Sequence, residues 1–100
     1  MEANLFMKKK ILFEKTVGNN CFVKYYLRVD KSKVDGKNLF GVEIEFFVHG
    51  DNLKTYAAIS KITQSEKIAL KIIDLLAKNN VTPNSLDYVI DEIYDVAQKF

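Results

Sequence analysis

Four carboxylates lie close together near the C-terminus, Asp87, Asp91, Glu92 and Asp95, with Tyr88 among them. The three aspartates recur at every fourth residue, a spacing that places them on one stripe of a helix. Paired carboxylates can exchange protons with a substrate or take a hard cation. Ca²⁺ needs about 6 to 8 oxygen ligands arriving from several directions, and one straight stripe cannot wrap around it. The reading is therefore a solvated helix face first, a docking surface for a basic partner second, and a metal site last.

The only histidine, His49, sits in the turn "VHGDN" beside Asp51. As a general base it would need a nucleophile, and neither GxSxG nor a related motif occurs. Glycines occur singly, so no GxGxxG or Walker loop cradles a phosphate. Cys21 is alone, without an internal disulfide partner or zinc-ligand spacing, and reads as a small half-buried hydrophobe. No catalytic residue, metal or cofactor is assigned.

A second surface combines charge with aromatic rings. Residues 8 to 37 carry nine lysines and arginines against Glu14, Asp30 and Asp35. Alternation in "FVKYYLRV" sends Phe22, Lys24, Tyr26 and Arg28 to one side, where cations could meet phosphates and a tyrosine could stack on a base. Glu43 and Glu45 occupy the same side of the next strand and would repel a phosphate backbone. Cross-strand salt pairs are the simpler reading. Phe22, Tyr26 and Phe47 are expected to be exposed on that side, and exposed aromatics mark protein interfaces.

The elements that position these residues follow from periodicity. "ILFEKTV" (Ile11 to Val17) is a short β-rich run ended by the turn at Gly18 to Asn20. Val23, Tyr25, Leu27 and Val29 form the core side of a second strand, and Phe40, Val42, Ile44, Phe46 and Val48 that of a third. Asp35-Gly36 is a two-residue hairpin signal, which as the turn would set Arg28 opposite Glu43 and Tyr26 opposite Glu45, while the slack in "DKSKVDGKN" leaves a longer loop open. After Gly50 to Asn52, Lys54 to Ile62 reads as a fourth strand.

The period then changes. Thr63 and Glu66 fit a capping box. The helix that follows shows Lys67, Lys71, Asp74 and Lys78 on one stripe and an aliphatic opposite side. Asn79-Asn80 stops it, because asparagine tolerates the left-handed conformation. Thr82 and Pro83 restart a second helix, with Val81 placed to staple onto Leu86. Its apolar side is Leu86, Val89, Ile90, Ile93, Ala97 and Phe100.

The stretches "YYLRV", "FGVEIEF" and "AAISKITQSEKIALKIIDLLAKNNVTPNSLDYVIDE" resemble a family of short clostridial proteins known only as a domain of unknown function. The resemblance runs from about Tyr25 to the C-terminus and rests on Asn79, Val81, Thr82, Pro83, Leu86, Val89, Ile90 and the Asp91-Glu92 pair. Asn84, Ser85 and the long loop "DKSKVDGKN" depart from it. It implies no activity, so no catalytic residue carries over.

The chain of 100 residues, 48% hydrophobic with a net charge of +2, has the size and composition of one globular domain. No apolar run reaches the roughly 18 residues that span a bilayer, and no secretory leader is present, so a cytoplasmic location is expected. The expected class is α+β: an antiparallel meander of three to four strands, then a C-terminal helical hairpin on one sheet face. Residues 1–10 are expected to be a flexible extension, with Met7 as an alternative start. Residues 11–62 are assigned to the sheet and 63–100 to the helices.

The functional expectation is a bacterial, non-catalytic protein-interaction module that binds an unidentified protein or a second copy of itself. Its candidate surface is Phe22, Lys24, Tyr26, Arg28, Phe47, Asp87, Tyr88, Asp91 and Asp95. Nucleic-acid binding through the basic half, using Lys8 to Lys10, Lys24, Arg28, Lys31, Lys33 and Lys37, is the alternative. An enzyme with a pocket joining His49 to the aspartates comes third.

Overall fold

The computed structural model describes residues 7–18, 20–32, 34–50 and 54–99, with side chains from residue 10 onward. Residues 1–6, Asn19, Lys33, Asp51, Asn52, Leu53, Phe100 and the side chains of Met7, Lys8 and Lys9 lie outside the described residues. Strands β1 (Met7–Thr16), β2 (Cys21–Lys31), β3 (Asn38–Val48) and β4 (Lys54–Thr63) pair antiparallel in sequence order. Helices α1 (Glu66–Lys78) and α2 (Leu86–Gln98), joined through a 3₁₀ turn at Pro83–Ser85, pack on one face of this sheet. The α+β meander with a helical hairpin is thus the observed architecture. β1 reaches further back than expected: Met7 to Lys10 pair with Leu27 to Asp30, so these residues belong to the sheet.

The core forms where the two periodicities meet. Val23, Tyr25, Leu27, Phe40, Val42 and Ile44 point inward from the central strands, and Ala69, Ile72, Ile73 and Leu76 meet them from α1. Leu86, Ile93 and Ala97 complete the core from α2.

The β2–β3 hairpin differs from expectation in register. Arg28 pairs with Gly41, Tyr26 with Glu43 and Lys24 with Glu45, two residues out from the pairing a turn at Asp35-Gly36 would give. Ser32 N–H instead donates to the Lys37 carbonyl at 2.8 Å, and Gly36 N–H returns to the Ser32 carbonyl at 2.9 Å, closing a longer loop. Gly36 enters the left-handed region at φ 71°, which explains the glycine there. A slip of two keeps every side chain on its face, so the core is unaffected.

Gly41 has a separate reason to be glycine. β4 carries extra residues opposite it: Val42 pairs with Ile59 but Phe40 with Thr63, and Lys61 in between has φ 57°. This bulge brings the β4 backbone against Gly41. A Cβ there would lie 2.8 Å from Ser60 Cα and closer still to the Ile59 carbonyl oxygen.

The cap of α1 also differs. Ser65, not Thr63, is the N-cap, its Oγ accepting from Ile68 N–H at 3.2 Å, while Thr63 Oγ1 accepts from Ser65 N–H. At the other end, Asn80 adopts φ 51° as expected. Val81 N–H donates to the Leu76 carbonyl and Asn80 N–H to the Ala77 carbonyl, the two bonds of a Schellman motif. Thr82 precedes Pro83 as predicted, but its hydroxyl makes no capping bond to the backbone; it lies 3.4 Å from Ser85 Oγ, while its carbonyl accepts Ser85 N–H.

Two strand residues hold this joint. The Tyr25 hydroxyl, fully buried, donates to the Val81 carbonyl at 2.8 Å. Lys15, opposite Val23 in β1, extends its ammonium to the Ala77 carbonyl at 2.7 Å and to Asn80 Oδ1. A cation at a helix C-terminus is favoured by the helix dipole.

Two substitutions probe these contacts by urea unfolding. Gly41→Ala is expected to destabilise by about 1–3 kcal/mol through overpacking against an unyielding backbone. Tyr25→Phe is expected to cost about 1–3 kcal/mol by leaving the buried Val81 carbonyl without its donor. Losses under about 0.5 kcal/mol, the range of neutral surface changes, would contradict both accounts.

Candidate functional site

Two surfaces hold the residues singled out from sequence, and they lie on opposite sides of the molecule. The first is the sheet face away from the helices. Phe22 and Phe47 pair across β2 and β3 and stack, centroids 5.3 Å apart and planes 22° apart. His49 meets Phe22 edge-on at 6.2 Å, and Lys24 Nζ lies 5.2 Å from the Phe47 centroid, a cation–π arrangement.

Several charges on this face pair within it. Arg28 Nε is 3.1 Å from Asp30 Oδ2, and its Nη1 is 3.8 Å from Glu43 Oε1. Lys54 Nζ is 2.9 Å from Glu45 Oε2, while the Tyr26 hydroxyl donates to Glu45 Oε1 at 3.0 Å. The charge contacts expected straight across the strands are thus made diagonally. Tyr26, expected to be exposed, retains 8% exposure and Glu43 only 3%, because long neighbouring side chains cover the middle of the sheet. Phe22 and Phe47 are half-buried against each other.

Burial pushes the Tyr25 hydroxyl up to about 12. Tyr26 also rises to about 12, through burial first, then its bond to Glu45 and the charges of Glu45, Glu43 and Glu14. For Glu45, burial acts upward, but the Lys54 ammonium, the Tyr26 hydroxyl and Lys24 together hold its carboxyl below the ordinary value.

The second surface is the outward side of the helical hairpin. On α2, Asp87, Tyr88, Asp91, Glu92 and Asp95 are exposed, Tyr88 at 87%. On α1, Lys67, Lys71, Asp74 and Lys78 share the outward stripe, and Lys78 pairs with Asp74 at 3.1 Å. Among the described residues Lys67, Lys71, Asp87, Asp91, Glu92 and Asp95 enter no ion pair. A cleft of ≈ 470 Å³ runs along the seam near the joint, with Leu75, Val89, Ile93 and Val96 lining it and Asn79 and Glu92 at its polar margin.

His49 and the aspartates are not brought together. His49 packs on Phe22, on the face opposite the helices. Among the described residues, no group of three or more His, Cys, Asp or Glu is gathered to hold a metal ion, and no helix is long and apolar enough to cross a membrane. Sequence reasoning found both stripes separately but not the apolar cleft between them. It also missed Lys15 and Tyr25 as anchors, since each bonds a residue more than fifty positions away.

The model of DUF6514, a family of unknown function, matches residues 4–96. The chain belongs to that family. No curated protein and no solved structure matches it. The DUF6514 match takes in all four strands and nearly all of α2, so the joint and both surfaces fall within the region the family describes.

The pH dependence of stability follows from the shifted groups. Folding raises both tyrosine values, so their contribution is fully present below about pH 10 and is lost as pH climbs through about 12. Folding lowers Glu45, so its contribution is present above the ordinary carboxylate value and is lost as pH falls through the folded one. Tyr26→Phe is therefore expected to flatten the alkaline limb of a stability profile, and Glu45→Gln the acid limb. Limbs unchanged by these variants would refute the assignment.

Proposed function

We propose that this DUF6514 chain is a non-catalytic protein-interaction module of the bacterial cytoplasm, and that it docks its partner on the outward face of the helical hairpin. The supporting observation is Tyr88, 87% exposed among carboxylates that no cation of the described chain neutralises. An exposed amphipathic ring gains contact area when a partner covers it, and tyrosine is enriched at protein interfaces. Like charges at Asp87, Asp91 and Asp95 repel along the helix.

The other readings draw less support. For nucleic acid, Arg28 is engaged by Asp30 and Glu43, and Glu45 shares the face with Lys24. For catalysis, His49 and the aspartates lie on opposite sides of the sheet.

A photo-crosslinking residue at position 88, expressed in the native cell, tests this reading. Discrete covalent adducts are expected from position 88 and not from position 34, where Val34 is 95% exposed on the β2–β3 loop. Adducts should fade when Asp91→Lys and Asp95→Lys are combined. Equal yields from positions 88 and 34, or no adduct at 88, would overturn it.

A further inference from the structure

The two helices of the hairpin carry opposite charge on the same outward face. Lys67, Lys71 and Lys78 with Asp74 mark α1, and Asp87, Asp91, Glu92 and Asp95 mark α2, with the apolar cleft between them. Such a surface is complementary to itself under one symmetry operation. A two-fold axis lying in the interface and running along the seam sets each lysine stripe over the other copy's aspartate stripe. An axis across the seam would oppose like charges. Resting on the docking face proposed above, we infer that the partner is a second copy of this chain, joined helix layer to helix layer with α1 of each copy over α2 of the other.

The geometry brings further agreement. The seam residues Leu75, Val89 and Val96 would face their own counterparts at the centre, and Tyr88 would lie across the partner's α1 lysines, where a cation can sit on the ring. An isologous contact of this kind closes on itself and stops at two copies.

Size sets the expected strength. Helices of 13 residues are roughly 20 Å long, and two side by side present a flat face of roughly 400 Å². That is about half the ≈ 800 Å² per partner of a standard interface, so the dimer should be weak, micromolar or weaker, and dependent on salt. The sheet face is less suited, since Arg28, Lys54 and Glu45 there already pair within the chain.

Light scattering and sedimentation of the full chain test this. Near 50 mM salt the mass should rise with concentration from 11.5 kDa toward twice that value, and roughly 0.5 M salt should reverse the rise. Two double variants separate the stripes: Lys67→Glu with Lys71→Glu, and Asp91→Lys with Asp95→Lys. Each alone should be monomeric with an unchanged circular dichroism spectrum, and an equimolar mixture should recover the dimer. Wild-type protein that stays monomeric at high concentration and low salt would overturn the inference, as would a dimer that survives both variants or a mixture that fails to associate. Crosslinks from position 88 to some other protein, with a monomeric chain in solution, would leave the interaction-module reading standing and remove only this one.

Discussion

The grip of the sheet on the α1–α2 joint is the constraint on which the helical layer depends. Asn80 in the left-handed region ends α1, and Val81 then turns inward. Tyr25 supplies the Val81 carbonyl with a donor, and Lys15 supplies the Ala77 carbonyl with a charged one. Without Tyr25 the buried Val81 carbonyl would lose this donor, and without Lys15 the Ala77 carbonyl would keep Asn80 N–H alone. With them, the place where the chain reverses is fixed relative to β1 and β2, and the direction of both helices follows.

This division of labour explains why the two faces of the sheet look so unlike. The inner face is apolar and anchored by two polar contacts at its margin. Among the described residues no helix lies over the outer face, which covers itself with long side chains: Arg28 reaches Asp30 and Glu43, Tyr26 reaches Glu45, and Phe22 leans on Phe47. Charges neutralised at home have little to offer a visitor, whereas on the helical layer only Lys78 and Asp74 pair among the described residues.

The legible parts of the fold were those written in local pattern. Period-two alternation identified β2 and β3 and their buried faces, and the "NNVTP" run identified the joint, because each depends on residues near in sequence. The β2–β3 register was not legible to the residue: Asp35-Gly36 is a strong turn signal, but the bonds between Ser32, Gly36 and Lys37 closed a longer loop. The N-cap of α1 moved from Thr63 to Ser65 for a similar reason, as both are acceptable acceptors and only the path of β4 decides between them. For the candidate site, the helical stripes could be read from spacing. Their adjacency, and the apolar cleft separating them, needed the hairpin to be folded.

Both outer strands of the sheet are irregular. β1 shifts register between Ile11 and Phe13, and β4 swells opposite Gly41 with Lys61 turned left-handed. A border strand with a regular, unbroken ladder invites another chain to add to it, and a bulge spoils the spacing such an addition requires. With a kink in each border, the sheet is a poor template for growth by strand addition. The glycine that admits the β4 swelling therefore bears on the border as well as on packing, by making β4 a poor template for a further strand.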